Sequence, residues 1–242
     1  MYYPKWMVEE EQILREQFPR LSLNSRAGPV TKKSLLFLLP NKTWDAIEWK
    51  ARQLNLRRSF KEVYPPLQLS DLDKGYIAGL VDGEGCISFI RAMRKGGYYN
   101  YFPYISIANT NAKVFEWLTS LTGLGTTRHL MAPPQSERTE NLHQKPWTWS
   151  IAFTWQVSNC AAIYTFVTSI YSALKIKKEQ AELLLEFLEI ASQKPRSQAI
   201  RDEKTGFFIR RIPVPLTQRQ KDIYTRMRIL NAGFRKGRTL KQ

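Results

Sequence analysis

Two carboxylates end a glycine-rich segment in the first half of this 242-residue chain. Asp82 and Glu84 flank Gly83, and Gly85 follows directly. Carboxylate oxygens are the hard ligands that Mg²⁺ prefers in proteins, so the pair is a candidate metal site. The simpler alternative is a helix that ends in glycine and leaves both acids in solvent.

The segment before these acids has the pattern of a helix with one bare face. Ser70 and Asp71 are candidate caps, and Gly75, Gly79 and Gly83 follow at a spacing of four residues. Each glycine inside a helix costs about 1 kcal/mol relative to alanine, so three on one face need a reason. A strip without side chains lets a second backbone approach closely. The pattern therefore favours a helix that packs against another helix through its glycines.

The run Ile77-Ala-Gly-Leu-Val-Asp-Gly-Glu-Gly85 resembles the signature of the LAGLIDADG homing endonucleases, with glutamate in place of the second acid. The resemblance covers residues 70–193, about half of the chain. It implies a saddle-shaped antiparallel sheet that binds DNA. It also implies that two signature helices pack together and that the last acid of each binds the catalytic metal.

The same resemblance implies roles for five residues. Glu84 and the Gly83 carbonyl would hold Mg²⁺ (or Mn²⁺), Asn109 and Lys113 would order the attacking water, and Lys177 would offset charge on the phosphate. For the two lysines, a solvated position at a helix end is the alternative interpretation. No other small-molecule cofactor is implied.

Only one signature occurs, because neither residues 183–189 nor residues 230–233 supply a second acid–glycine pair. Cutting both strands then requires a two-fold homodimer on a long, near-palindromic target. The interface residues implied are Gly75, Ala78, Gly79, Asp82 and Gly83.

Periodicity predicts an αββαββα module of the α+β class over residues 70–193, with helices on one sheet face and a polar, aromatic-rich face open. The predicted strands are residues 86–94, 98–109, 126–131 and 149–157. An open antiparallel face can read base edges in the major groove, or it can simply be solvated. The candidate DNA-binding residues are Ser88, Arg94, Asn100, Tyr104, Ser106, Arg128, Ser150 and Thr154.

Residues 1–58 are predicted to form three helices, and a proline-containing linker follows at 59–69. Tryptophans near the first and third helix starts resemble those of Myb/SANT-like helix-turn-helix domains, in which the last helix enters the major groove. Lys50 and Arg52 are its candidate DNA contacts. A three-helix protein-interaction module has the same apolar pattern and stays an alternative.

The net charge of +16 lies outside the middle module. Residues 194–242 hold 14 Lys or Arg against 3 Asp or Glu, whereas residues 63–193 hold 11 of each. We interpret this C-terminal extension as a clamp on the DNA backbone, with Arg210 and Arg211 as contacts. A disordered, solubilising tail is the alternative.

Composition narrows the function class further. The chain has two cysteines and two histidines, which disfavours disulfide scaffolds and histidine-based nucleases. No apolar run predicts a membrane span and no signal segment is evident, so we expect an intracellular protein. The expected function is a site-specific double-strand DNA endonuclease of the intron-homing kind. The alternative is a non-cleaving nucleic-acid binder on the same fold, an RNA maturase or a transcription regulator.

Overall fold

The computed structural model describes residues 5–21, 30–56, 59, 61–94, 97–130, 152–193, 197–201 and 208–236. The chain divides into two compact units. One comprises residues 1–66 with 160–165, and the other comprises residues 67–159 with 166–242. The division at residue 66 falls within the segment predicted as a linker.

Among the described residues before position 57, the first unit forms the helices α1 (Val8–Gln17), α2 (Lys32–Leu38) and α3 (Trp44–Gln53). Side-chain hydroxyls cap two of these helices, because Thr31 accepts from the Ser34 N–H and Thr43 accepts from the Ala46 N–H. These hydroxyls satisfy amides that have no partner inside their helices. The helices bury one apolar cluster: Leu14, Phe18, Leu21, Val30, Leu35, Leu39, Ile47 and Ala51.

The second unit begins with the predicted α–β–β order. Its elements are α4 (Asp71–Glu84), β1 (Gly85–Met93), β2 (Tyr99–Asn109), α5 (Ala112–Thr122), β3 (Thr126–Leu130), β4 (Ala152–Val157), α6 (Cys160–Ile170, of which residues 160–165 group with the first unit), α7 (Lys178–Gln193), β5 (Ser197–Arg201), β6 (Phe208–Pro213) and α8 (Gln218–Lys236).

Strands β1 to β4 form one antiparallel sheet in the order β1-β2-β4-β3. The predicted α+β class is confirmed, and so is the alternation along β2. Ile105 and Ile107 are fully buried, while Tyr104 and Ser106 between them are partly exposed. Trp155 pairs with Ile107 and is also fully buried, so one face of the sheet carries the core. The other face stays accessible.

Two glycines shape the turn from α5 into β3. Gly123 ends α5 in the left-handed region at φ +65°, and Gly125 has φ +77°. A Cβ on Gly125 would lie 2.3 Å from the Trp155 ring, whose Nε1 donates to the Leu124 carbonyl. Only glycine lets the chain pass this close to the ring.

The hairpin β5–β6 and the packing of α8 were not predicted. Ile223 and Met227 of α8 are fully buried, and Tyr224 stacks on Tyr101 of β2 at a centroid distance of 4.1 Å. Asn231 donates to the Ile87 carbonyl of the edge strand β1. Helix α8 therefore belongs to the core of the second unit.

None of the helices in the described part of the chain combines the length and the apolar character needed to cross a bilayer.

Candidate nucleic-acid interface and acidic site

Glu84 and Asn109, 25 residues apart in sequence, meet where α4 passes into β1 and β2 ends. Asn109 Nδ2 donates to Glu84 Oε2 at 2.9 Å. Asn109 Oδ1 accepts from the Asn111 N–H at 2.8 Å, which fixes which end of the amide faces the carboxylate. Glu84 itself is exposed. The result is a solvent-accessible carboxylate held in one direction by an oriented amide.

Lys113 lies close by along the chain, in the first turn of α5. Its N–H donates to Oδ1 of Asn111, the N-cap of that helix. Its side chain is exposed. Lys113 therefore projects into solvent from the turn that also orients Asn109.

Asp82 turns away from Glu84, which corrects the interpretation of the two acids as a ligand pair. Its carboxylate accepts the N–H groups of Lys175 (2.8 Å), Ile176 (3.1 Å) and Lys177 (2.8 Å), just before α7. Burial raises the pKa of Asp82, but the three backbone donors and the Lys177 charge outweigh it and hold the pKa below its ordinary value. Asp82 is therefore an ionised cap inside the unit.

Lys177 is buried on the other side of this contact. Its ammonium donates to the Val81 carbonyl at 2.9 Å and to the Asp82 carbonyl. Burial lowers the pKa of Lys177, and the nearby Asp82 carboxylate and Cys86 raise it only in part. The resemblance placed Lys177 at the acidic site. The structure brings it to the backbone beneath that site, with a side chain that is only 7% exposed.

A single chain supplies few metal ligands at this place. No group of three or more His, Cys, Asp or Glu residues that would suit a metal occurs among the described residues. The exposed Glu84 carboxylate and the adjacent Gly83 carbonyl are oxygen donors of the kind that Mg²⁺ takes. The donor set fits such an ion only if further oxygens come from outside the chain.

The outer face of α4 is bare in the isolated chain. Gly75, Gly79 and Gly83 are exposed, and in the described structure a Cβ on any of them would meet nothing within 4 Å beyond its chain neighbours and the nearby backbone of α4 itself. Leu72 (82% exposed) and Tyr76 (51% exposed) occupy the same face. The face offers backbone and apolar surface together.

Two residues predicted for a subunit interface are buried inside the second unit. Ala78 is 1% exposed and Asp82 is 9% exposed, so both side chains point into the unit. Helical spacing puts position 78 with the buried Ile77 and Val81, and position 82 faces α7. That prediction was wrong for these two residues.

The candidate base-reading residues share the open face of the sheet. Strand pairing aligns Arg128 with Thr154, Ser88 with Tyr104, and Ala92 with Asn100. A further row across all four strands contains Cys86, Ser106, Gln156 and Thr126. Ser150 lies outside the described residues.

Sequence reasoning missed part of this face. Thr126 and Gln156 stand in the same row as Ser106, and strict alternation along β3 and β4 would have identified them. Ile90 (49% exposed) and Phe102 (37% exposed) pair on the same side. The Arg94 guanidinium lies 5.0 Å from the Phe102 ring centroid. The open face is thus polar near Glu84 and partly apolar at its far end.

Within the first unit, one of the two candidate DNA contacts is neutralised. Lys50 forms an ion pair with Glu11 at 2.5 Å, and its side chain is 15% exposed. Lys42 pairs in the same way with Glu10 at 2.8 Å. Lys50 therefore stabilises the contact between α1 and α3, which corrects its prediction as a DNA contact. Arg52 remains 73% exposed along its side chain.

Some basic residues of the C-terminal extension are likewise paired with acids, whereas others are exposed. Arg210 and Arg211 lie in β6, opposite Ile200 and Ala199 of β5. On α8, Arg219 holds Glu186 through two short contacts of 2.6 and 2.7 Å, and Arg226 holds Glu179 at 2.7 Å. Lys221 and Arg228 are exposed. Part of the positive charge is thus used in binding α8 to α7.

Solved structures that resemble the chain include homing endonucleases. The chain overlaps the homing endonuclease I-CvuI in complex with its target in the presence of Ca at a TM-score of 0.37 and 20% identity, over 49% of this chain and 66% of that one. It overlaps the archaeal intron-encoded I-Vdi141I complexed with DNA at 0.37 and 20%, over 49% and 68%. The group I intron-encoded I-CeuI complexed with DNA gives 0.39 and 12%, over 76% and 75%.

No protein-family model matches the sequence, and no curated protein matches it. The overlap with I-CvuI spans just under two thirds of that chain. TM-scores and identities this low carry no inference about what the present chain does, which has to rest on its own residues.

Proposed function

We propose that the chain is a metal-dependent, site-specific double-strand DNA endonuclease of the LAGLIDADG type that works as a homodimer. The contact between Glu84 and Asn109 carries this proposal. It brings an exposed, oriented carboxylate to the end of a helix whose outer face is bare. A solvated helix end with unpaired acids would not need that orientation.

Glu84 and the Gly83 carbonyl are the residues that would hold Mg²⁺ or Mn²⁺. Such an ion, when bound, activates water and stabilises the leaving oxygen in hydrolysis of a phosphodiester. One carboxylate per chain makes a poor site, so a second copy and the DNA phosphates must complete it. This requirement connects the proposed metal site with the proposed dimer.

Asn109 and Lys113 have separate proposed roles. Because the Asn111 N–H occupies the Asn109 oxygen, Asn109 keeps its NH₂ group on Glu84 and holds the carboxylate still. Lys113 is free to move at its exposed position and would order the attacking water. Both residues depend on Asn111, which caps α5.

The proposed dimer interface is the glycine face of α4, formed by Gly75, Gly79 and Gly83 with Leu72 and Tyr76. We expect Gly79→Leu to give a monomer in multi-angle light scattering, because the new side chain would hold two helices apart. Gly233→Leu on α8 is the matched control, since a Cβ there also meets open space. An unchanged dimer mass in Gly79→Leu would contradict the interface.

The open face of the sheet is the proposed DNA-binding surface. Ser88, Asn100, Tyr104, Ser106, Arg128 and Thr154 are its base-reading residues, and Arg94 is a further contact. Two such faces related by a two-fold axis would read a long, near-palindromic duplex. Arg52, Arg210 and Arg211 are proposed to contact the DNA backbone. Intron homing is the proposed biological role.

The test is incubation of the full chain with a library of random duplexes and Mg²⁺, followed by sequencing of the cut ends. Wild type should yield paired cuts in a related set of near-palindromic sites, and Glu84→Gln should yield none. If the wild-type chain cuts no site in the library, the proposal of nuclease activity is wrong.

A non-cleaving nucleic-acid binder is the second candidate. The observation that favours it is the single exposed carboxylate at the site, which on its own is a weak metal ligand set. Selecting the duplexes and structured RNAs that the chain binds in the same reaction distinguishes the nuclease from the non-cleaving binder. Tight binding to either without cutting supports a maturase or a regulator.

A further inference from the structure

Helices α4 and α7 cap each other through one acid and one base. Asp82, in the last turn of α4, accepts three consecutive N–H groups from residues 175–177, where the chain enters α7. Lys177 returns the contact by donating to the carbonyls of Val81 and Asp82. We call this pair of contacts the reciprocal cap. It joins residues 93 to 96 positions apart.

The two charges sit at the helix ends that favour them. The three N–H groups that Asp82 accepts belong to the residues directly before α7, and the two carbonyls that Lys177 contacts lie in the last turn of α4. The macrodipole favours an anion at the start of a helix and a cation at its end. Because Asp82 is 9% exposed and Lys177 is 7% exposed, removing either partner leaves the other as a buried, uncompensated charge.

The reciprocal cap holds the backbone that carries Glu84. The Val81 carbonyl that Lys177 contacts is also the atom that crowds Gly85, where a Cβ would lie 2.5 Å away. Residues 81–85 are therefore fixed from both sides, by Lys177 and by the turn into β1. The backbone of Glu84 lies within this segment, and Asn109 donates to its side chain.

We propose that Asp82 and Lys177 are positioning residues: the reciprocal cap fixes the backbone of residues 81–85 and thereby directs the Glu84 carboxylate. Lys177 acts through that backbone and makes no contact with the DNA phosphate. The inference rests on the proposed nuclease for its catalytic meaning. The cap itself is independent of it and can be tested without DNA or metal.

The first test is amide hydrogen exchange on the full, metal-free chain. Asp82→Asn replaces one of the two acceptor oxygens with an NH₂ group that must face at least one of the three N–H groups. Lys177→Met removes the charge but keeps the stem. In both variants we expect exchange to rise by about tenfold or more at residues 175–177 and also at 83–86. Asp71→Asn on α4 and Lys178→Met on α7 are the matched controls, since both sites are exposed. They should leave those amides unchanged.

Unchanged protection at residues 83–86 in both Asp82→Asn and Lys177→Met would overturn the proposal. If one of the two variants does not fold, the other carries the test. This measurement holds whether or not the protein cuts DNA, so its outcome is separate from that of the nuclease.

The second test separates position from direct catalysis. Binding of Mn²⁺ to the protein on selected duplex is followed by electron paramagnetic resonance, and cleavage is measured as a function of Mn²⁺. A positioning role predicts weaker Mn²⁺ binding in Lys177→Met, with kcat restored to within about threefold at high Mn²⁺. Direct contact with the phosphate predicts normal Mn²⁺ binding and a kcat reduced by about 100-fold or more at every concentration, which would overturn the proposal.

Discussion

Glu84 joins two properties that are seldom found in one surface acid, exposure and a fixed direction. An exposed carboxylate ordinarily samples several rotamers, and holding it costs side-chain entropy. Here the hydrogen bond from Asn109 offsets this entropy loss, and Asn109 is itself oriented by the Asn111 N–H. That chain of contacts is the residue-scale reason to regard Glu84 as functional.

The substitution Glu84→Gln should separate binding from cutting. Glutamine keeps the shape of the side chain but loses the negative charge that a divalent cation requires. We expect cleavage to fall by about 100-fold or more while the Kd for a selected duplex changes less than about threefold. Gel-shift titration in Ca²⁺ and cleavage in Mg²⁺ measure the two. Glu116→Gln, an exposed acid on α5, is the control, and loss of binding by folded Glu84→Gln would count against the assignment.

A second residue-scale prediction concerns Gly125. Gly125→Ala combines positive φ with a clash against the Trp155 ring, so we expect a loss of about 2–4 kcal/mol in unfolding free energy. Gly97→Ala has a similar φ of +78° but open space around the Cβ, and should cost about 1 kcal/mol. Urea denaturation of both variants measures the difference. Equal losses would show that the ring contact is unimportant.

Sequence reasoning identified the residue types at the site but could not give their directions. Glu84, Asn109 and Lys177 were named from a linear pattern, and the structure brings all three to the end of α4. Asp82 was assigned to the outside because nothing in the sequence shows that residues 175–177 return to it. Lys50 was misassigned for the same reason, since its partner Glu11 lies on another helix.

At the scale of elements, α8 is held by apolar packing more than by its arginines. Met227 is fully buried, so Met227→Ala should lower the unfolding free energy by about 2–5 kcal/mol. Arg219→Ala should barely shift the urea midpoint, because the pair with Glu186 is largely solvated. A larger shift for Arg219→Ala than for Met227→Ala would contradict this account.

The sequence predicted most elements because their signals are local. Ser70 caps α4 as the sequence indicates, and Thr31, Thr43 and Asn111 cap α2, α3 and α5. Strand β2 was predicted from its alternation. The hairpin β5–β6 was missed because its arginine-rich strands show no alternating apolar face.

At the scale of the whole molecule, the position of the charges matters more for contact with nucleic acid than their sum. Lys42 and Lys50 are paired within the first unit, and Arg219 and Arg226 within the second, so these cations already have carboxylate partners. Each such pair adds nothing to the net charge of +16, which comes from other side chains. The open sheet face therefore has to supply shape and hydrogen bonding, and charge contributes mainly through exposed residues such as Arg94 and Arg128.

The claim on which the rest depends is that two copies meet through the glycine face of α4. Single cysteines at Gly75, Gly79 and Gly83 test it most directly, in a chain whose own Cys86 and Cys160 are replaced by serine. A cysteine at the exposed Glu116 on α5 serves as the control. Paired α4 helices bring such residues within disulfide distance.

Mild oxidation followed by non-reducing electrophoresis gives the result. We expect a band at twice the 28.3 kDa of the chain for at least one of the three glycine positions and none for Glu116→Cys. A chain that stays at 28.3 kDa in all three variants, or that cross-links equally well through position 116, would contradict it.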